Sequence, residues 1–392
     1  MKLAQMSLSL AVAAALTLTA CGDKQAAAPA ETGKTAEGGA AVVVKIGQAS
    51  PLTGPQAHIG KDNDNAVRLA IDEINASKPK IGGKDVTFEV MSEDDQADPK
   101  TATIVAQRMI DEGIVGVVGH LNSGATIPAS KVYFDNAIPQ VSPSATAIKY
   151  TAQNFNTAYR VMTNDEQQGK VLGEYAARVG KKVAIIDDQT AYGQGLASEV
   201  EKAAKAAGAE VVAVEHTTDK ASDFSAILTS IKSKSPDVIF FGGMDPQGAP
   251  IAKQMHQLGL TAQYLGGDGL QTPKFIELAG KDADGAIASI PGLPVDKMPK
   301  GPEFKQKFNA KYGEIQLYAP YAYDAAYVLV EAMKKADSTE PAKYLPELAK
   351  TKYSGVTGDI SFDSKGDLTS GPITLYKVEG GKWTTLETIF PK

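Results

Sequence analysis

Three residue types that often carry chemistry are scarce in this sequence. Its 392 residues include one cysteine, one tryptophan and four histidines. A single cysteine cannot form an intramolecular disulfide, nor a zinc site built from several thiolates. The histidines, His58, His120, His216 and His256, are scattered and form no His-Glu-x-x-His pair. We therefore predict turn or surface positions for them and no metal site.

The common catalytic and cofactor motifs are also missing. No Gly-x-Ser-x-Gly elbow is present. The stretch Gly54–Lys61 fails as a phosphate loop, because its glycines are one residue too far apart and Asp62 follows. Gly193 and Gly195 begin a dinucleotide fingerprint, but Ser198 replaces its third glycine. We predict no enzyme, no catalytic residue and no cofactor.

Excess positive charge is absent as well. The formal net charge at pH 7 is −6, whereas a protein that binds nucleic acid needs a basic face for the phosphates. Beyond the amino terminus, no segment reaches transmembrane length without charged residues. The sequence therefore predicts a soluble body that does not bind nucleic acid.

The single cysteine follows a short apolar run near the amino terminus. The run Leu8–Leu18 is too short to span a bilayer but suits a secretory signal. The segment Leu-Thr-Ala-Cys-Gly around Cys21 resembles the bacterial lipoprotein signal, in which the cysteine sulfur carries a lipid. An ordinary cleavage site or an inert thiol is the alternative. The stretch GDKQAAAPAETGKTAEGGA contains no large apolar residue, so we assign 1–20 to the signal and 21–43 to a lipidated, disordered linker.

Short apolar runs alternate with amphipathic helical patterns from Val42 onward. VVVKIGQAS, VTFEVM and IVGVVGH read as strands, and the rhythm restarts after Arg160 with KKVAIIDD, EVVAVEHT, DVIFFGG and QYLGG. Two such βαβ series predict an α/β protein with two doubly wound parallel sheets. Ligands of such sheets bind outside the carboxyl ends of the strands. The sequence ITLYKVEGGKWTTLE predicts a hairpin that turns at Gly380 and Gly381.

Three polar loops follow predicted strands. In GHLNSGATIPAS, Ser123 is placed as a helix N-cap whose hydroxyl and following N–H groups can receive a carboxylate; simple capping is an equal alternative. In VSPSATAIKYT, the Ser144 carbonyl and Thr146 hydroxyl can orient an ammonium and a carboxylate, or form an ordinary turn. In LGGDGLQT, Asp268 can approach an ammonium, although Asp beside Gly is also common in turns.

These loops belong to a longer set of motifs. GQASPLTGP, EDDQADPK, GHLNSGATIPAS, VSPSATA, DDQTAYGQG, FFGGMDPQ and GGDGL occur in the order found in the periplasmic leucine/isoleucine/valine-binding proteins. The sequence resembles that family over residues 44–392. The resemblance implies the clamshell of type I periplasmic binding proteins, two lobes joined by three crossovers. Lobe I would comprise 44–163 and 290–365, and lobe II 164–289 and 366–392.

The resemblance also implies a set of ligand contacts. Ser123 and Thr146 would hold an α-carboxylate. The Ser144 carbonyl, the Thr146 hydroxyl and Asp268 would hold the ammonium, and Tyr192 would close from the second lobe. The complete implied set is Ser123, Ser144, Ala145, Thr146, Tyr192, Met244, Asp268, Leu121 and Ile59, with Tyr318 as a further side-chain contact.

Several positions depart from the family pattern, among them Ala97 and Asn122, which stand where a family disulfide would be. Met244 stands where tyrosine is common, Asp268 where glutamate is common, and Ile59 replaces an aromatic residue. The acidic anchor is therefore shorter and the pocket more aliphatic, which leaves the size of the ligand open.

The function implied by the resemblance is capture of leucine, isoleucine or valine and delivery to the permease subunits of an ABC importer. We expect a monomer, anchored by lipid on the periplasmic face of a bacterial membrane, or on the outer surface of a cell with one membrane. The alternative is a sensor or receptor module of the same fold for another amino acid or an amide.

Overall fold

Two β-sheets organise residues 41–369 and 371–390, the part of the chain that the computed structural model describes. The predicted signal, Cys21 and most of the predicted linker lie outside these residues. Val42 and Val43, assigned above to the linker, are the first residues of a strand and pair with Val86 and Thr87.

The first sheet has six strands in the order β2-β3-β1-β4-β5-β6. All neighbours are parallel except β2 and β3. Its strands are β1 Val42–Ser50, β2 Lys80–Ile81, β3 Lys84–Asp94, β4 Ile114–Gly119, β5 Gln140–Ser142 and β6 Ala158–Arg160. The helices between them are α1 Ala57–Ala76, α2 Pro99–Asp111, α3 Ser123–Asp135 and α4 Lys149–Ala152. The predicted strands and helices of this half are confirmed.

The second sheet has seven strands in the order β15-β14-β11-β10-β9-β7-β8. Its parallel strands are β7 Lys182–Asp187, β8 Glu210–His216, β9 Val238–Gly242, β10 Gln263–Gly266 and β11 Ile287–Pro291. The helices of this half are α5 Asp165–Val179, α6 Ala191–Ala206, α7 Ser225–Lys232, α8 Asp245–Gln257 and α9 Pro273–Ala279. Every residue of β9 and β11 is buried, as expected for parallel strands covered on both faces.

After β11 the chain returns to the first sheet before it re-enters the second sheet at β14. Helices α10 Gly301–Tyr312, α11 Ala319–Lys335 and α12 Pro341–Leu348 are followed by the small strands β12 Tyr353–Ser354 and β13 Asp359–Ile360. Helix α11 packs on α1, β4 and β5 of the first sheet. The chain thus crosses between lobes three times: after β6, after β11 and before β14. Because β11 pairs with β14 through Pro291, the second crossover begins after that residue, beyond the boundary predicted at residue 290.

The carboxyl-terminal hairpin forms as predicted. Strands β14 Ile373–Glu379 and β15 Lys382–Ile389 are antiparallel, with Glu379 opposite Lys382. Gly380 and Gly381 have φ of 59° and 75°, a left-handed conformation that glycine adopts without strain. Among the helices in the described part of the chain, none combines the length and the apolar character needed to cross a membrane.

Two glycines allow helix α5 to lie directly against helix α6. A β-carbon added at Gly169 would be 2.5 Å from Glu199 Cβ, and one added at Gly173 would be 2.5 Å from Ala203 Cβ. This close packing matters for the site, because the first turns of α5 and α6 carry Asp165 and Tyr192.

Replacing Gly173 with alanine tests this packing. We expect Gly173→Ala to lower the free energy of unfolding by about 1–3 kcal/mol, because a methyl group forced into a packed interface costs more than the helix gains. Gly124→Ala is the matched control, since the nearest atom to its added β-carbon is 3.8 Å away. Urea denaturation measures both. Equal midpoints for the two variants would contradict the close approach of α5 and α6.

Candidate functional site

The three predicted loops lie at the carboxyl ends of parallel strands. The loop with Leu121 and Ser123 follows β4, the loop with Ser144 and Thr146 follows β5, and Asp268 follows β10. The first two loops belong to the first lobe and the third to the second lobe. The named residues of all three loops are buried, and Tyr318 of the first lobe donates to Asp268 of the second.

Asp268 is the most constrained of these residues. It opens a 3₁₀ turn, is fully buried, and accepts hydrogen bonds at Oδ1 from Gln168 Nε2 at 2.9 Å and Tyr192 OH at 2.8 Å. Tyr318 OH donates to Oδ2. Burial raises the pKa of Asp268, and these three donors act against that rise. Among the described residues no lysine, arginine or histidine forms an ion pair with Asp268.

Thr146 lies beside a second buried acid. The Thr146 carbonyl accepts the backbone N–H of Asp165 at 2.9 Å. Within residues 41–369 and 371–390, the Thr146 hydroxyl and both carboxylate oxygens of Asp165 are buried without a hydrogen-bond partner. Burial raises the pKa of Asp165 to about 7, and the nearby hydroxyl of Thr146 only partly offsets this.

The other polar residues of the first lobe hold the loops against one another. Ser123 Oγ accepts the Ala147 N–H at 3.2 Å, and Ser144 Oγ donates to the Leu121 carbonyl at 3.0 Å. Ala145 is fully buried, and its N–H donates to Ser142 Oγ at 3.0 Å.

The prediction that Ser123 caps helix α3 is wrong. The N-cap position is Asn122, without a side-chain hydrogen bond, and Ser123 is the first helical residue. The Ser123 hydroxyl faces the neighbouring loop, where it meets Ala147. The Ala125 N–H, one of the groups expected to receive a carboxylate, already donates to the Asn122 carbonyl at 3.0 Å.

The predicted apolar residues come together in a single hydrophobic cluster that draws on both lobes. Each of them is at most 7% exposed. This cluster is the main core of the described residues and is much larger than the predicted set, to which belong Ile59, Leu121, Tyr192, Met244 and Tyr318. Of these residues, Tyr192 and Tyr318 lie directly beside Asp268, because both donate to its carboxylate.

The histidine prediction is only partly right. His216 and His256 have exposed side chains. His120 is fully buried, with Nδ1 2.7 Å from Asp95 Oδ2 and Nε2 3.0 Å from Tyr133 OH. His58 of the first lobe lies 2.7 Å from Asp245 Oδ2 of the second lobe. In the part of the chain that the structure describes, no group of three or more His, Cys, Asp or Glu side chains is arranged to hold a metal ion.

Several residues of the buried region were not predicted. Asp165 and Gln168 lie in the first turn of α5, where the sequence shows only polar residues near a helix start. Arg160 is fully buried at the end of β6, and its guanidinium donates to the Ala145 and Ala147 carbonyls at 2.7 and 3.0 Å. It also donates to Asp367 Oδ1 in the third crossover at 2.5 Å. A polar residue ending a strand is ordinary, so no sequence signal distinguishes Arg160.

Residues 43–382 match the family described as periplasmic binding protein. The chain belongs to this family. A Leu/Ile/Val-binding protein homolog from Brucella suis is 36% identical over 343 residues, which cover 86% of this chain and 91% of that protein.

Two solved structures are similar to this binding protein. The leucine-binding protein LivK of Thermotoga maritima has a TM-score of 0.81 at 28% identity, covering 89% of this chain and 99% of that one. LivJ of Streptococcus pneumoniae, solved with isoleucine, has a TM-score of 0.80 at 27% identity and covers 89% and 100%. The predicted two-lobed fold is confirmed, and so is the expectation of a binding protein that is not an enzyme.

The pKa of Asp165 predicts a pH-dependent stability of the free binding protein. The folded pKa of about 7 lies above the ordinary value of 3.8 for an aspartic acid, so the folded state holds this proton more tightly than the unfolded chain. The stabilisation of the folded state by the proton on Asp165 is therefore complete below pH 4, falls as the pH rises, and is lost above pH 7. Asp165→Asn does not titrate, so its melting temperature should rise relative to the wild-type value between pH 4 and 7 and level off at higher pH. The difference is on the order of a few kcal/mol, at about 1.4 kcal/mol for each unit of pKa.

Differential scanning calorimetry of ligand-free protein at several pH values measures this difference. Glu201→Gln is the control, because Glu201 is a partly exposed residue that pairs with Lys205. A difference between Asp165→Asn and wild type that does not change with pH would contradict the raised pKa.

Proposed function

We propose that this protein captures a branched-chain amino acid between its lobes and delivers it to the permease subunits of an ABC importer. The observation that carries the proposal is the buried Asp268 carboxylate, which has three neutral hydrogen-bond donors and no cationic partner among the described residues. A buried carboxylate without an opposite charge costs several kcal/mol. An ammonium group bound beside it removes that cost.

The first lobe supplies the groups for the other end of an amino acid. Ser123 and Thr146 offer hydroxyls for the α-carboxylate, and the Ser144 carbonyl offers a further acceptor for the ammonium. Thr146 Oγ forms no hydrogen bond of ordinary geometry among the described residues, although Asp165 lies near it, so we propose that it turns to the ligand. A zwitterion fits this arrangement because it brings both charges at once.

The apolar cluster selects the side chain. Ile59, Leu121, Tyr192 and Met244 are proposed to contact it, with Ala145 in the loop beneath and Tyr318 beside Asp268. Burial of a leucyl group contributes about 1.5–3 kcal/mol, which favours leucine over glycine by roughly ten- to a hundredfold. The names of the relatives agree, since the Brucella suis protein is called a Leu/Ile/Val-binding protein homolog and LivJ was solved with isoleucine.

Closure of the lobes accompanies binding. His58 with Asp245, and Tyr318 with Asp268, are contacts between the two lobes. Only the closed form touches a ligand from both sides, so the ligand shifts an equilibrium between open and closed forms toward the closed one.

Calorimetric titration with the twenty amino acids tests this function. We expect leucine, isoleucine and valine to bind and glycine to bind roughly ten- to a hundredfold more weakly. Asp268→Asn should weaken leucine binding by about 30-fold to several-thousand-fold, because losing one partner of a buried charge pair costs about 2–5 kcal/mol. Glu201→Gln is the control variant and should bind like wild type.

Two outcomes would contradict this assignment. The first is the absence of heat with all three branched-chain amino acids while another solute binds. The second is wild-type affinity for leucine in Asp268→Asn, which would remove Asp268 from the site.

The amino-terminal segment is proposed to anchor the protein. In this proposal Cys21 carries the lipid, residues 22–41 tether the body, and the protein works as a monomer on the periplasmic face of a bacterial membrane. Several acyl chains hold the protein more firmly than one, since each buried methylene contributes about 0.8 kcal/mol.

Cys21→Ser tests the anchor. When the full chain is expressed in a bacterium supplied with labelled palmitate, the wild-type protein should carry label and sediment with membranes. The variant should do neither, because serine offers no sulfur to the lipid. Lys24→Gln, which leaves the cysteine in place, is the control. Membrane-bound, labelled Cys21→Ser would refute lipidation at this residue.

A further inference from the structure

Asp165 is a second acidic group near the proposed ammonium position, and nothing in the fold explains its burial. It is fully buried, and among residues 41–369 and 371–390 neither carboxylate oxygen forms a hydrogen bond of ordinary geometry, although the Thr146 hydroxyl is close enough to lower its pKa. Helix α5 does not use the side chain as a cap, since Asn164 accepts the Glu166 and Gln167 N–H groups instead. An isolated buried carboxyl group of this kind destabilises the protein unless a ligand completes it.

The surroundings of Asp165 belong to the ligand region. Its backbone N–H is bonded to the Thr146 carbonyl at 2.9 Å, and its pKa is lowered by the Thr146 hydroxyl and raised by the charge of Asp268. The position of an added β-carbon on Gly195 lies 2.9 Å from Asp165 Oδ2. Asp165 also lines a separate cavity of about 610 Å³, which it shares with Ala147 and Gly195 and whose lining includes none of Ser123, Thr146, Tyr192 and Asp268.

The other charges near Asp165 do not neutralise it. Arg160 lowers its pKa and Glu199 raises it. The N–H groups of Arg160 are already directed to Asp367, Thr151 and two backbone carbonyls. The remaining charged or titratable residues that line the same cavity are Lys149, Asp187, Glu201 and His216.

The two buried acids differ in what they can do without a ligand. Three neutral donors of the protein stabilise the charged form of Asp268, whereas Asp165 has only the nearby Thr146 hydroxyl, which forms no hydrogen bond of ordinary geometry with it. Burial raises the pKa of Asp165 to about 7, so this acid is partly protonated near neutral pH in the free protein. An ammonium arriving beside Thr146 favours the charged form of both acids.

We propose that Asp165 is a second acidic contact for the ammonium group of the ligand, and that it releases a proton when the amino acid binds. This inference rests on the proposed function. The reaction is balanced: the carboxylic acid proton of Asp165 passes to buffer, and the charge of the ammonium replaces it. Because the bound state holds fewer protons than the free state, affinity increases with pH until Asp165 is ionised in the free protein.

Isothermal titration with leucine at pH 6, 7 and 8, in buffers of different ionisation enthalpy, counts the protons released. We expect release of up to about one proton per leucine at pH 6, and little at pH 8. The affinity should rise by up to about tenfold per pH unit below pH 7 and level off above it. In Asp165→Asn the release should disappear and the affinity should change less than about twofold over this range.

Glu201→Gln removes an acid that lines the same cavity and should keep the wild-type proton release. The number of protons that the wild-type protein releases per leucine can be measured without any variant. This measurement tests the proposal even if Asp165→Asn folds poorly. Leucine binding without proton release, or unchanged release in folded Asp165→Asn, would overturn this inference and leave the proposed function standing. Absence of binding by leucine, isoleucine and valine at every pH would overturn both.

Discussion

The buried carboxylate of Asp268 is the constraint on which the rest of this structure depends. Three separate parts of the chain supply its donors: Gln168 from the first turn of α5, Tyr192 from the first turn of α6 and Tyr318 from the segment before α11. None of these donors carries a charge, so the carboxylate is solvated by the protein but not neutralised. Such an arrangement is costly in an empty protein and favourable around a cation. Because Tyr318 comes from the first lobe and Asp268 from the second, the hydrogen bond between them also joins the lobes.

Buried polar groups further from the site hold these donors in place. The Asp62 carboxylate accepts the N–H groups of Gln316, Leu317 and Ala319 at 2.9, 3.0 and 2.9 Å, which fixes the segment that carries Tyr318. On the opposite side of the region, Arg160 fixes the loop that carries Thr146 through two of its carbonyls and ties it to the third crossover. Arg160 therefore links the third crossover directly to the loop that carries Thr146. Both residues keep the geometry of the site without belonging to it.

The sequence predicts the fold well because hydrophobic periodicity and turn chemistry are local. The strand VVVKIGQAS and the hairpin turn at Gly380 and Gly381 need no distant contact to be recognised. The site loops are predictable for a related reason, since loops after parallel strands converge at one edge of a sheet. The family resemblance then separates Ser123, Thr146 and Asp268 from ordinary turn residues.

What the sequence does not predict depends on contacts across long separations. Gln168 and Asp268 are 100 positions apart, and nothing near either residue indicates the other. The buried state of His120 depends in the same way on Asp95 and Tyr133. The prediction of Ser123 as a helix cap is wrong because its hydroxyl accepts the N–H of Ala147, which lies 24 positions away. In the sequence, Asp165 resembles any acidic residue at the start of a helix. Its carboxylate is buried without a hydrogen-bond partner only because α5 packs against α6 and the Thr146 loop, and the sequence does not show this packing.

The central claim is that one dipolar solute neutralises Asp268 while its carboxylate meets the first lobe. A crystal structure of the leucine-saturated protein tests it most directly. The account predicts the leucine nitrogen within hydrogen-bond distance of the Asp268 carboxylate, the leucine carboxylate at the Ser123 and Thr146 hydroxyls, and the isobutyl group against Tyr192 and Met244. Leucine bound elsewhere, or bound with its carboxylate toward Asp268, would contradict it.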